Sequence, residues 1–203
     1  YRLHDGSDLK GALDLIKQRT SIHIVGGLVE SVSCDENGLP EDQALLSHAS
    51  YLRHDSHTRS LLVLPIDFTG QDKFVWRKGY FARCDAVFEF ALMDKCVFDK
   101  CDVWWDEDIK ANSCTEVFYF RAKQQGGVGV AFYSGLSVES RLTRRLVKKR
   151  RQDRRASAAQ WMKKSGLENV LTYGSWQETL DPETGESRRT TLSRDSESND
   201  QLL

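Results

Sequence analysis

The chain has 203 residues, 39% hydrophobic and 10% aromatic, which suffices for a real core and excludes a wholly disordered chain. Its 29 Lys and Arg nearly balance 30 Asp and Glu for a formal net charge of -1, yet eleven of those cations fall between Arg141 and Lys164 beside one acid, Asp153. The longest apolar runs, such as Leu61 to Ile66 and Val128 to Tyr133, are far short of the roughly 20 residues a membrane-crossing helix needs, so no transmembrane segment is expected.

In chain order, a helix is expected from Ser7 to about Gln18: Ser7 can cap it, Asp8 suits its positive end, and Leu9, Leu13 and Ile16 share one face. Ile22, Ile24, Val29 and Val32 around Gly26 and Gly27 predict a strand, closed by the turn-prone Asp35-Glu36-Asn37-Gly38. Pro40, then Leu45, Ala49 and Leu52 at helical spacing, predict a second helix to about Arg53. Leu61 to Ile66 is too short for most helices and reads as a strand whose Pro65 falls at an edge or an end. Phe74, Trp76 and Phe81, then Ala86, Phe88, Phe90 and Leu92, alternate as strands do, and Val97 to Trp105 predicts a further strand with apolar residues on both faces. Val117 to Lys123 and Val128 to Tyr133 read as a hairpin turning through Gln124-Gln125-Gly126-Gly127.

From Ser137 the pattern reads as helix. Ser137 can cap it, Glu139 lies in its first turn, and Val138, Leu142 and Leu146 form an i, i+4 stripe. Lys148 to Arg155 then offers almost nothing to bury, and docking residues return at Ala158, Trp161 and Met162 before Gly166 as a terminal cap. Leu171 to Leu180 and Glu186 to Leu192, joined by Asp181-Pro182-Glu183-Thr184-Gly185, predict a hairpin anchored by Trp176. The stretch WQETLDPETGE resembles a WW-type segment in part, but a second positioned Trp and the Pro are missing, so no family's residues carry over. The expected fold class is α+β, a curved antiparallel sheet or partial barrel with flanking helices, a long basic helix and a C-terminal hairpin. The expected organisation is a globular body 1–136, a basic helical arm 137–166, a hairpin extension 167–192 and an extended or disordered acidic tail 193–203.

Charge is partitioned along the chain, with net -6 in residues 1–140, +10 in 141–165 and -5 in 166–203. The acidic tail could therefore fold back on the arm until a stronger anion displaces it. The candidate polyanion contacts are Arg141, Arg144, Arg145, Lys148, Lys149, Arg150, Arg151, Arg154, Arg155, Lys163 and Lys164. Like charges four apart, as in Arg141 with Arg145 or Arg150 with Arg154, repel by a few tenths of a kcal/mol each, and a bound anion removes that cost. Arginine forks suit phosphate oxygens, so nucleic acid leads the candidate partners, RNA before DNA, read at the backbone because no sequence-reading motif accompanies the strip. The alternatives for the block are a nuclear-localisation cluster, a calmodulin-target or membrane-surface helix, or a solvated face paired with Asp106, Glu107 and Asp108. Arg154-Arg155-Ala156-Ser157 also resembles a basophilic kinase site.

Signals for chemistry are thin. Cys34, Cys84, Cys96, Cys101 and Cys114 are odd in number and show no paired spacing, which fits reduced thiols in a cytoplasm, nucleus or organelle matrix. The chain opens on Tyr1 rather than Met, so an N-terminal piece is expected to have been removed, and a targeting peptide could have gone with it. Asp102, Asp106, Glu107 and Asp108 lack the spacing of a calcium loop, and Gln125-Gly126-Gly127-Val128-Gly129 lacks a Walker lysine. His23, Cys84 and Cys114 would serve a thiol enzyme only if the fold gathered them. No catalytic, metal-binding or cofactor-binding residues are assigned, and no cofactor is expected. The expected function is a non-enzymatic structural or binding component of a larger intracellular assembly, with protein partners and a polyanion at 141–164. The competing class is an enzyme or small-ligand domain with its site on the aromatic sheet around Trp76, Trp104 and Trp105.

Overall fold

A computed structural model of the chain describes residues 1–35, 39–47, 49–66, 73–87, 90–99, 113–143, 149, 157–172 and 176–191. The first half holds β1 (Arg2–Leu3), α1 (Leu9–Gln18), β2 (Ile24–Cys34), β3 (Pro40–Ser47), β4 (Ala49–Asp55), β5 (Ser60–Pro65), β6 (Lys73–Trp76), β7 (Gly79–Cys84), β8 (Ala86–Val87) and β9 (Ala91–Met93). The second half holds α2 (Cys96–Asp99), α3 (Ser113–Gln125), β10 (Val130–Thr143), α4 over residues 157–164, β11 (Asn169–Thr172), β12 (Trp176–Leu180) and β13 (Ser187–Thr191).

Two sheets form, and neither closes into a barrel. The first is centred on β2 and β10, which run parallel; β9 and β3 pair with successive halves of β2, while β7 and β1 pair with successive halves of β10 and β6 lies outside β7. The second has the order β13-β12-β11-β5-β4-β8, with β5 and β11 parallel. In place of the one curved, mainly antiparallel sheet that was expected there are two sheets, each antiparallel but for one parallel pair. The chain crosses from the first to the second between β7 and β8, at Asp85. There Asp85 donates its N–H to Ser50 O (2.9 Å), and its carboxylate accepts from Leu52 N–H (2.8 Å) and Lys123 Nζ (2.5 Å). The crossing brings Val87 so close to Gly26 that a Cβ there would lie 2.4 Å from the valine's own, and only glycine fits.

Alternation sorts the first sheet's side chains onto two apolar faces. Val25, Phe81, Ala131 and Tyr133 meet Ala12 and Leu15 of α1, whereas Ile24, Cys84, Val130 and Phe132 meet α3, α4 and the second sheet. The first helix lies where expected, one residue later than Ser7 suggests, with Asp8 accepting from Gly11 N–H (2.8 Å) as its cap and Ser7 Oγ accepting from Ser137 N–H (3.0 Å); its buried face is Gly11, Ala12 and Leu15 rather than Leu9, Leu13 and Ile16, and Leu13 is exposed. β2 and the terminal position of Pro65 in β5 also follow the sequence reading.

Three segments do not. Pro40 to Arg53 is not a helix but β3 and β4: β4 buries Ala49, Ser50 and Leu52 with little alternation, so its spacing imitates a helical face. A tight turn follows, in which Asp55 accepts from His57 N–H, Thr58 N–H and Thr58 Oγ1, and β5 then pairs back on β4. Val117 to Lys123 is not a strand but part of α3, with Val117, Phe118, Tyr119 and Phe120 all buried in succession. Four successive buried residues leave no simple apolar stripe to read, and the β-rich composition yields to packing. The glycines expected in a hairpin turn instead end this helix: Gly126 and Gly127 take positive φ, and Gly126 N–H returns to Ala122 O. Residues 97–99 of the predicted strand Val97 to Trp105 fall in α2, begun by Asp94 accepting from Cys96 N–H (2.8 Å), and 100–112 lie outside the described residues.

The basic region also departs from one long helix. Residues 137–143 are the second half of β10, in parallel register with Leu28 to Cys34, so Ser137 begins no helix and the boundary expected at 136 falls inside a strand. Val138 and Leu142, four apart, satisfy a strand face as well as a helical one, and the open edge of β2 supplies the hydrogen bonds that decide it. Residues 144–148 and 150–156 lie outside the described residues; Lys149 is helical. α4 closes as read, since Gly166 N–H bonds Lys163 O, Leu167 N–H bonds Met162 O, and Gly166 takes a φ of 68°. β12 and β13 form a hairpin through 181–185 as expected, but Leu171 and Thr172, expected in its first strand, belong to the separate strand β11 on which it docks; Trp176's side chain and the tail 192–203 lie outside the described residues. Among the described residues no helix is long and apolar enough to cross a membrane.

Candidate functional site

Four of the eleven predicted polyanion contacts are described. Arg141, near the end of β10, is exposed, and its Nε donates to Glu139 Oε1 (2.6 Å). That bond first, and the guanidinium charge with it, holds the Glu139 carboxyl below its ordinary range. Lys149 is exposed, as are Lys163 and Lys164 on α4. Lys163 Nζ rests against Gly185, so the end of the block abuts the turn bearing Asp181, Glu183 and Glu186. Arg144, Arg145, Lys148, Arg150, Arg151, Arg154 and Arg155 lie outside the described residues. The docking residues fall where expected, with Ala158, Trp161 and Met162 buried in the main core. Ser157 is only 5% exposed, so a kinase would have to open the start of α4 to reach it.

Two polar networks are built deep into the fold; their sequence pattern marked Asp8 as a helix-end acid and Trp76 as a sheet aromatic, but not Tyr133 or Glu178. Tyr133 is fully buried and donates its hydroxyl to Asp8 Oδ2 (2.7 Å). Burial opposes ionisation of Asp8, but the Tyr133 hydroxyl and the Gly11 N–H more than offset it and hold the carboxyl below its usual value. Burial, and then the Asp8 carboxylate, push the Tyr133 phenol up to about 12. Trp76 Nε1 donates to Gly11 O (2.9 Å), so strand β6, helix α1 and strand β10 meet at one cap. In the C-terminal hairpin, buried Glu178 accepts from Ser187 Oγ (2.9 Å) and Arg189 Nε (2.6 Å), beneath an open groove lined also by Asp181, Thr184, Glu186 and Arg188. Both networks are internally satisfied, as load-carrying structure requires.

Of the residues considered for chemistry, the structure describes the side chains of His23 and Cys84. His23 Nδ1 accepts from Gly129 N–H (2.9 Å), and burial raises the Cys84 thiol far above its usual range, the reverse of an activated nucleophile. Cys114's side chain, Trp104, Trp105, Asp102, Asp106, Glu107 and Asp108 lie outside the described residues. Among the described residues, no group of three or more His, Cys, Asp or Glu could hold a metal ion. No protein-family model matches the sequence, and no curated protein is significantly similar to it.

Proposed function

We propose that the chain is a non-enzymatic binding component of a larger intracellular assembly, and that segment 141–164 holds a polyanion, with RNA backbone the first choice. The observation that supports this reading is that a block of eleven cations and one acid is rooted in the fold at both ends, by β10 before it and by the buried face of α4 after it. Its described cations, Arg141, Lys149, Lys163 and Lys164, face outward. A strip tethered twice loses less freedom on binding than a free tail, which favours affinity without adding sequence specificity. Titration of the chain into labelled RNAs of unrelated sequence tests this directly. Affinities should agree within a few-fold across sequences and fall by about a thousandfold between ~50 and ~200 mM salt. Strong preference for one sequence, or no binding at low salt, would overturn it.

A further inference from the structure

A second cationic surface lies far from the block in sequence, on the body that is otherwise acidic. α1 with Arg19, and the β6–β7 hairpin, carry seven Lys and Arg against one acid, Asp14, although residues 1–140 as a whole are net -6. Strand pairing of Phe74 with Phe81 puts Phe74, Trp76, Phe81 and Arg83 on one face of the hairpin, the face that meets α1. Phe74 stacks on buried Phe81, ring centroids 5.2 Å apart and 24° from parallel, yet Phe74 remains 52% exposed. Its ring is therefore supported by Phe81 while half of the residue stays exposed. Trp76 stands edge-on to Phe81 and is fixed by its bond to Gly11 O, with the Arg19 guanidinium 6.0 Å from its ring. Arg83 reaches Ser21 Oγ (2.6 Å), and Arg77, which bonds Asp14, sits in the hairpin turn at a φ of 44°. A non-glycine residue there is strained by about 1 kcal/mol, so the turn keeps a cation beside Trp76 where glycine would fit without strain.

We infer that this hairpin is a stacking platform for single-stranded nucleic acid: a base lies on the exposed part of Phe74, and Arg19, Arg77 and Arg83 take the flanking phosphates. Apolar area alone would suit many partners, but a half-exposed aromatic ring on a hairpin that also bears Arg77 and Arg83, in an acidic body, favours a flexible polyanion with flat π-faces. The site reads bases as flat surfaces, which the proposed backbone contact at 141–164 does not, and it stands whether or not that block binds.

The test compares Phe74→Ala with the unaltered chain on two ligands, a labelled single-stranded RNA of about 12 nucleotides and heparin, which has charge but no bases. The variant should bind the RNA about tenfold more weakly, with heparin retention and thermal melting unchanged, and Phe74→Trp should restore RNA binding. Unchanged RNA binding in Phe74→Ala would overturn the inference, as would an equal loss of heparin retention. So would competition by an acidic peptide as effective as the RNA, which would make the surface a protein-docking site. A variant neutral at Arg150, Arg151, Arg154 and Arg155 that keeps RNA binding would count against the basic block alone and leave the platform standing.

Discussion

At Tyr133 one hydroxyl joins two elements, since it donates from β10 to the Asp8 carboxylate that caps α1 while its ring lies among the residues between α1 and the sheet. Removing it leaves a buried carboxylate oxygen short of a donor, so Tyr133→Phe should lower stability by about 1–3 kcal/mol in urea unfolding near neutral pH. The phenol's ordinary value is 10.0 and its folded value about 12, so its contribution is complete below pH 10 and disappears as pH rises towards 12. The gap in stability between the natural chain and Tyr133→Phe should narrow across that window by on the order of 2 kcal/mol, and a constant gap would show that the hydroxyl titrates freely. Asp8 works in the opposite direction. Its folded value lies below 3.8, so its contribution is present above that pH and lost as acid carries the solution through the folded value. Neither group was legible as a partner of the other, because a contact between residues 8 and 133 leaves no trace in local periodicity.

Among elements, those held by local pattern were legible and those decided by tertiary surroundings were not. α1 has polar and apolar stripes, and β12–β13 has a five-residue turn with Pro and Gly at fitting places, so both could be read. β4 and α3 are buried on more than one face and lack the alternation or stripe that distinguishes strand from helix. The glycines near the start of β10 show how a residue type can be read correctly and its role missed. Gly126 ends α3 with a φ of 74° and has open space where a Cβ would go, whereas a Cβ on Gly129 would meet Ser21 O at 1.7 Å. Gly129→Ala should therefore cost about 3 kcal/mol or more in thermal or urea unfolding, because backbone must shift, and Gly126→Ala only about 1 kcal/mol for its left-handed conformation. The reverse order would contradict the close approach of β10's start to Ser21.

For the whole molecule, charge was the legible quantity and its spatial arrangement was not. The cationic block stood out in the sequence, but a continuous helix from residue 137 did not follow, because a cap residue and an i, i+4 stripe are also compatible with a strand beside β2. Arg19 at the end of α1 and Arg77 and Arg83 of the β6–β7 hairpin are separated by more than 50 residues and come together only through the packing of α1 on the sheet. The central claim, that segment 141–164 contacts a polyanion, is tested most directly by the salt dependence of RNA binding. In a chain neutral at Arg150, Arg151, Arg154 and Arg155, the slope of log K against log salt should become shallower by about 3, because each lost phosphate contact removes roughly 0.7 to 0.9 of slope. A slope unchanged from that of the natural chain would contradict the claim.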